Sequence, residues 1–149
     1  VLTAADRRTG QELFRVADLQ QPAGVGGPFG GPPVEPTALA SGHLLLLVLG
    51  ANAQCLDLLE KKELWRYPLL GRGQPQAAPA VTHLADGDTE YSYDDGFKLR
   101  LGRAAVLRPG YAALVTRDGL ACLDPATRAV RWERADVSPR VQVWGDDRH

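Results

Sequence analysis

The chain of 149 residues carries 17 basic and 18 acidic side chains, a formal net charge of −1. So even a balance offers no electrostatic footprint for a polyanion, which excludes nucleic acid as the expected partner. Hydrophobic content of 44% against 23% charged suits a core-forming soluble domain and argues against wholesale disorder. The longest apolar run, Leu44–Leu49, falls far short of the about 20 residues a spanning helix needs and suits a strand buried on both faces, so no membrane span is expected.

In chain order, Val1–Ala5 and Glu12–Val16 read as strands that close a sheet over residues 1–16. Ala17–Pro33 is rich in Gly and Pro. It lacks the Gly-Lys-Ser/Thr of a phosphate-cradling loop and reads as a flexible connection over 17–33. Residues 34–67 give strands near Val34–Leu39, His43–Leu49, Ala53–Leu56 and Glu63–Tyr67. Residues 68–102 read as an insertion loop, with Asp86, Asp88, Glu90, Asp94 and Asp95 interleaved with Tyr91 and Tyr93. Residues 103–133 repeat the earlier unit as Arg103–Leu107, Tyr111–Thr116, Leu120–Leu123 and Ala129–Glu133, with turns at Pro109-Gly110, Asp118-Gly119 and Pro125–Arg128. Residues 134–149 begin a further unit, with a strand at Val141–Trp144 and a turn at Gly145-Asp146-Asp147.

Three segments align without gaps: Ala4–Arg15 (AADRRTGQELFR), Cys55–Arg66 (CLDLLEKKELWR) and Cys122–Glu133 (CLDPATRAVRWE). Each places a small residue two positions before an Asp and an aromatic eight positions after it: Asp6 and Phe14, Asp57 and Trp65, Asp124 and Trp132. Upstream, Leu44–Asp57 superposes on Tyr111–Asp124 at equal length, with Leu47 over Leu114, Val48 over Val115 and Leu56 over Leu123. Four-stranded antiparallel meanders repeated along a chain predict the blades of a β-propeller, here an incomplete ring of about two and a half blades. The intervals of 51 and 67 residues between successive Asps exceed a minimal blade, and the two loops account for the excess.

These segments resemble the tryptophan-docking repeat AxDxxxGxxxW of the PQQ-type propellers. That family holds quinoprotein alcohol dehydrogenases and non-catalytic relatives such as the outer-membrane assembly lipoprotein BamB. The resemblance covers about half of the chain, is specific for the blade, and implies a bacterial cell-envelope or periplasmic location, with the cytoplasm as the alternative. The motif has a physical reading of its own. The Asp can accept backbone N–H groups of the following turn, and the aromatic buries a plate against a small neighbour. Gly10 keeps the motif glycine, whereas Lys61 and Arg128 replace it and would cost about 1 kcal/mol in a left-handed turn. Cys55 and Cys122 stand where Ala4 does, so they read as small apolar packing residues instead of a disulfide.

The chain holds no Met and opens inside a unit, so it reads as an internal piece. The expected partner is the remainder of its own polypeptide or a complementary propeller fragment, since open strand edges invite pairing. Expressed alone, the piece is expected to aggregate or dimerise through those edges. The 71–98 stretch, with its tyrosines, is the expected contact surface for protein partners. Its carboxylates lack the spacing of a calcium loop and read as solvated. His43, His83 and His149 are scattered, with no zinc spacing and no nucleophile–base pairing. No catalytic, cofactor-binding or metal-binding residue is therefore assigned. The favoured function is a non-catalytic scaffold without a cofactor. The alternative is a dehydrogenase whose PQQ and Ca²⁺ are bound by parts outside this chain.

Overall fold

The computed structural model describes residues 2–16, 37–49, 52–71, 79–138, 141 and 143. Among them the chain is all-β, with antiparallel sheets and one short 3-10 turn at Leu101–Arg103. A two-stranded sheet pairs β1 (Leu2–Ala5) with β2 (Glu12–Val16). A four-stranded meander follows: β3 (Thr37–Ser41), β4 (Leu44–Leu49), β5 (Asn52–Asp57) and β6 (Lys62–Pro68). Next comes a three-stranded meander of β7 (Ala80–His83), β8 (Thr89–Ser92) and β9 (Lys98–Arg100). The last is four-stranded: β10 (Ala105–Arg108), β11 (Tyr111–Thr116), β12 (Gly119–Leu123) and β13 (Val130–Arg134). Among the described residues no helix is long and apolar enough to cross a membrane.

The apolar runs take the inner positions of each four-stranded sheet. Leu44, Leu46, Leu47, Val48 and Leu49 of β4 are buried on both faces, as are Ala112–Thr116 of β11. A strand so covered shows a continuous apolar run instead of alternation, as the sequence does here. The turn between β11 and β12 falls on Arg117 and Asp118, one residue earlier than the expected Asp118-Gly119. Gly119 thus becomes the first residue of β12, with φ of 132°, and a Cβ on it would overlap the carbonyl oxygen of Arg134. Only glycine fits there.

The stretch expected as an insertion loop over 68–102 holds the third sheet across residues 80–100. Both of its hairpins turn through a glycine in the left-handed region, Gly87 at φ 84° and Gly96 at φ 83°. Tyr91 on β8 stands opposite Leu99 on β9, and neither is exposed. Burying that pair gives the short strands a reason to form that their acidic composition concealed.

One core joins the second, third and fourth sheets through Leu46, Val48, Trp65, Leu69, Tyr91, Phe97 and Leu114. β10 lies against β3, and the Arg117 N–H donates to the Leu69 carbonyl at 2.7 Å. Val143 packs on the same core and donates its N–H to the Arg103 carbonyl at 3.2 Å. The Gly/Pro-rich loop over 17–33, Trp144 and the turn at 145–147 lie outside the described residues.

Candidate functional site

The three aligned segments adopt one local geometry. Ala4 pairs with Phe14, Cys55 with Trp65 and Cys122 with Trp132, and in each case the register shifts at the next residue along the first strand. The Asp that follows organises the turn. Oδ1 of Asp6 accepts the N–H groups of Arg8 and Thr9, both at 2.8 Å. Oδ1 of Asp57 accepts those of Leu59 and Glu60 at 2.9 and 3.0 Å. Oδ1 of Asp124 accepts those of Ala126 and Thr127 at 3.1 and 3.0 Å. The residue four positions after each Asp is left-handed: Gly10 at φ 70°, Lys61 at 54° and Arg128 at 64°. The turn therefore keeps its conformation after losing its glycine, and Lys61 and Arg128 carry the strain.

These bonds favour ionised carboxylates. The Thr9 and Arg8 amides hold Asp6 below the usual carboxylate range, and the Glu60 amide does so for Asp57 despite partial desolvation. At Asp124 a bond from Arg131, then the amide and hydroxyl of Thr127, bring the carboxyl down to about 2. Such acids are structural anchors and remain charged through the neutral range.

The second and fourth sheets meet where β6 faces the Asp124 turn. Trp65 is 5% exposed, and its indole N–H donates to the Pro125 carbonyl at 2.8 Å. The Cys55 thiol lies 3.5 Å from the same oxygen. Burial, aided by the nearby Asp57 charge, pushes that thiol up to about 11, and burial also raises Cys122. Both cysteines are free and buried, acting as small packing groups beside the aromatic. Trp132, by contrast, is 47% exposed, and every residue of β13 is exposed.

Beside this contact a cleft runs between the two sheets, lined by Tyr67, Pro68, Gly71, Asp118, Arg128 and Glu133. Its polar groups engage one another. The Arg128 guanidinium sits 5.8 Å from the centre of the Tyr67 ring, and the Tyr67 hydroxyl donates to Glu133 at 3.2 Å. The interface is consequently built for cohesion, with a cation on a ring face and a charge-assisted bond across two strands.

Four of the five acidic residues of this stretch are likewise partnered, and the fifth, Asp94, is exposed. Asp86 and Asp88 both pair with Arg100, and Asp88 also accepts the Gly102 N–H at 2.8 Å. Glu90 pairs with Lys98 at 2.7 Å, and Asp95 lies 2.8 Å from Arg117. Among the described residues no three His, Cys, Asp or Glu side chains converge as metal ligands would. Tyr91 and Tyr93 are buried, at 0% and 8% exposure, so these rings serve the core and do not offer a partner-contact surface.

The histidines are separate. His43 lies 3.6 Å from Asp57, but no hydroxyl or thiol is bonded to it among the described residues. His83 lies 3.3 Å from the Thr89 hydroxyl in an exposed cross-strand pair, without a third group to orient the ring among those residues. His149 lies outside them. Reading the sequence for aromatics and acids misses Pro125 and Arg117, which act through a backbone carbonyl and a turn position that residue type does not announce. No family model and no curated protein matches the chain.

Proposed function

We propose that the chain is part of a β-propeller of the PQQ-repeat kind, on its non-catalytic, BamB-like side, and that it serves as a protein-interaction scaffold. In this reading the two four-stranded meanders are successive blades and the third sheet is an insertion between them. The observation that carries it is the bond from the Trp65 indole to the Pro125 carbonyl, which ties the outer strand of one four-stranded sheet to the repeat turn of the next. Support comes also from the approach of β3 to β10, as expected where first strands converge on a common axis. The pairing of Asp86, Asp88, Glu90 and Asp95 with Arg100, Lys98 and Arg117 fits a reading in which these residues serve the fold and not a calcium ion, while the quinone-dependent alternative would place its ligands outside this chain. A cell-envelope location follows from the resemblance alone.

Two measurements test this. Trp65→Phe keeps the apolar plate but removes the indole N–H, and should lower unfolding free energy by about 1–2 kcal/mol in urea titration. An unchanged midpoint would remove the main support for blade docking. Equilibrium dialysis of the full-length protein against PQQ with Ca²⁺ should show no saturable retention. Saturable retention together with dye-linked alcohol oxidation would overturn the scaffold reading.

A further inference from the structure

We propose that the three-stranded sheet of β7, β8 and β9 is a flap, docked around an unpaired Tyr91 hydroxyl, that opens from the two four-stranded sheets while these stay folded. The flap depends only on how the three sheets meet, and not on their being parts of a propeller.

The backbone of this sheet is bonded to itself. Its ladder runs from β7 to β8 and from β8 to β9. Its turns close with the Leu84 N–H on the Asp88 carbonyl at 2.8 Å and the Tyr93 N–H on the Phe97 carbonyl at 2.9 Å. Among the described residues no backbone hydrogen bond joins the stretch 80–100 to either four-stranded sheet. The charged side chains also turn inward on the stretch, with Arg100 on Asp86 and Asp88 and Lys98 on Glu90. Among the described residues a single ion pair crosses to a four-stranded sheet, Asp95 with Arg117, and Asp95 is half exposed. A pair so open to water adds little.

Docking is therefore mainly apolar, through Tyr91, Tyr93, Phe97 and Leu99 in the common core, with the Arg117 guanidinium over two of the rings. Such attraction is non-directional and lets the sheet part as a unit. Its centre holds a flaw. Tyr91 stands on the middle strand, opposite Val81 on one side and Leu99 on the other. It is 0% exposed, and its hydroxyl has no hydrogen-bond partner among the described residues. Burial pushes the phenol up to about 12, so at neutral pH it remains a protonated donor with nothing to receive its hydrogen. That desolvation cost is recovered when the sheet opens and the hydroxyl meets water. With strands of four, four and three residues, the unit is also small enough to open well below the global unfolding free energy.

Amide hydrogen exchange of the full-length protein, followed at rising urea below the unfolding transition, tests this. Amides of β8 and β9 should exchange faster than those of β4 and β11, through an opening with a shallower urea dependence. Tyr91→Phe keeps the ring, removes the hydroxyl, and should slow exchange in β8 and β9 about tenfold. Exchange in β8 and β9 that matches β4 and β11 at every urea concentration would overturn the flap. Exchange that is unchanged or faster in Tyr91→Phe would overturn the role of the hydroxyl in its docking. Neither result bears on the Trp65 contact, whose own variant tests the propeller reading.

Discussion

Arg117 Nε lies 2.8 Å from a carboxylate oxygen of Asp95, tying the turn between β11 and β12 to the turn between β8 and β9. The N–H is not aligned for a hydrogen bond, so the attraction is Coulombic more than directional. The same guanidinium sits 5.7 Å from the centres of both the Tyr93 and Phe97 rings, which stack with centroids 5.6 Å apart. With its backbone N–H on Leu69, this one residue touches three parts of the fold.

Arg117→Ala should therefore cost about 1–2 kcal/mol, mostly through the lost ring contacts. The loss should appear first as faster amide hydrogen exchange in β8 and β9, ahead of the four-stranded sheets. A cycle with Asp95→Asn should give a coupling below about 1 kcal/mol, since Asp95 is half exposed. Unchanged exchange in β8 and β9 would show that the meander holds without this residue.

Gly119→Ala should destabilise the chain by more than about 2 kcal/mol, because the new methyl group would meet the Arg134 carbonyl and φ of 132° disfavours a side chain. Gly110→Ala is the matched control, as nothing lies within 4 Å of a Cβ built there. Thermal melts of the two variants should separate clearly. Equal midpoints would mean that β12 and β13 part easily at this end.

The Asp-anchored turns set an acid limit on stability. Asp124 titrates at about 2 in the folded chain, depressed from 3.8. Asp6 and Asp57 are depressed as well. A lowered folded-state pKa gives stability that is present above the unfolded value and lost as pH falls through the folded one. Urea midpoints should hold above about pH 5 and drop between about pH 4 and pH 2. Asp124→Asn should flatten that limb, and a limb identical to wild type would place the acid sensitivity elsewhere.

Lys61→Gly should stabilise the chain by about 0.5 kcal/mol, since Lys61 sits at φ 54°. The complementary change, Gly10→Ala, should cost about 1 kcal/mol although no atom lies within 4 Å of the added methyl. Denaturant midpoints moving in opposite directions would isolate backbone strain from packing. The same change at Arg128 would mix strain with packing, because the Arg128 guanidinium also covers the Tyr67 ring.

The sheet repeats were legible because chemistry fixes their markers. An Asp that must accept turn amides leaves few substitutes, and the three Asp-anchored turns fold alike. The turn at Arg117-Asp118 was displaced by one residue because Asp118-Gly119 resembles a hairpin loop. Here the glycine is required by the approach of Arg134 instead. The third sheet was hidden because its carboxylates give the stretch the composition of a solvated loop, so Tyr91 and Tyr93 read as a contact surface when they are buried core residues with Phe97 and Leu99. Its signal was the pair of Gly-containing turns, at Gly87 and Gly96, flanking short apolar-bearing strands. Exposure of Trp132 was illegible, because the same motif is covered at Trp65 and open at β13.

The position of the Cys55 sulfur, 3.5 Å from a carbonyl on the opposite sheet, gives the molecule a chemical gauge of its own cohesion. A thiol titrating at about 11 is ionised in only about one molecule in ten thousand at neutral pH, so alkylating reagents find almost no nucleophile while the sheets stay together. Separation of the sheets would return the sulfur to water and to ordinary reactivity. The rate of its labelling would then count how often this seam breathes, without any introduced probe.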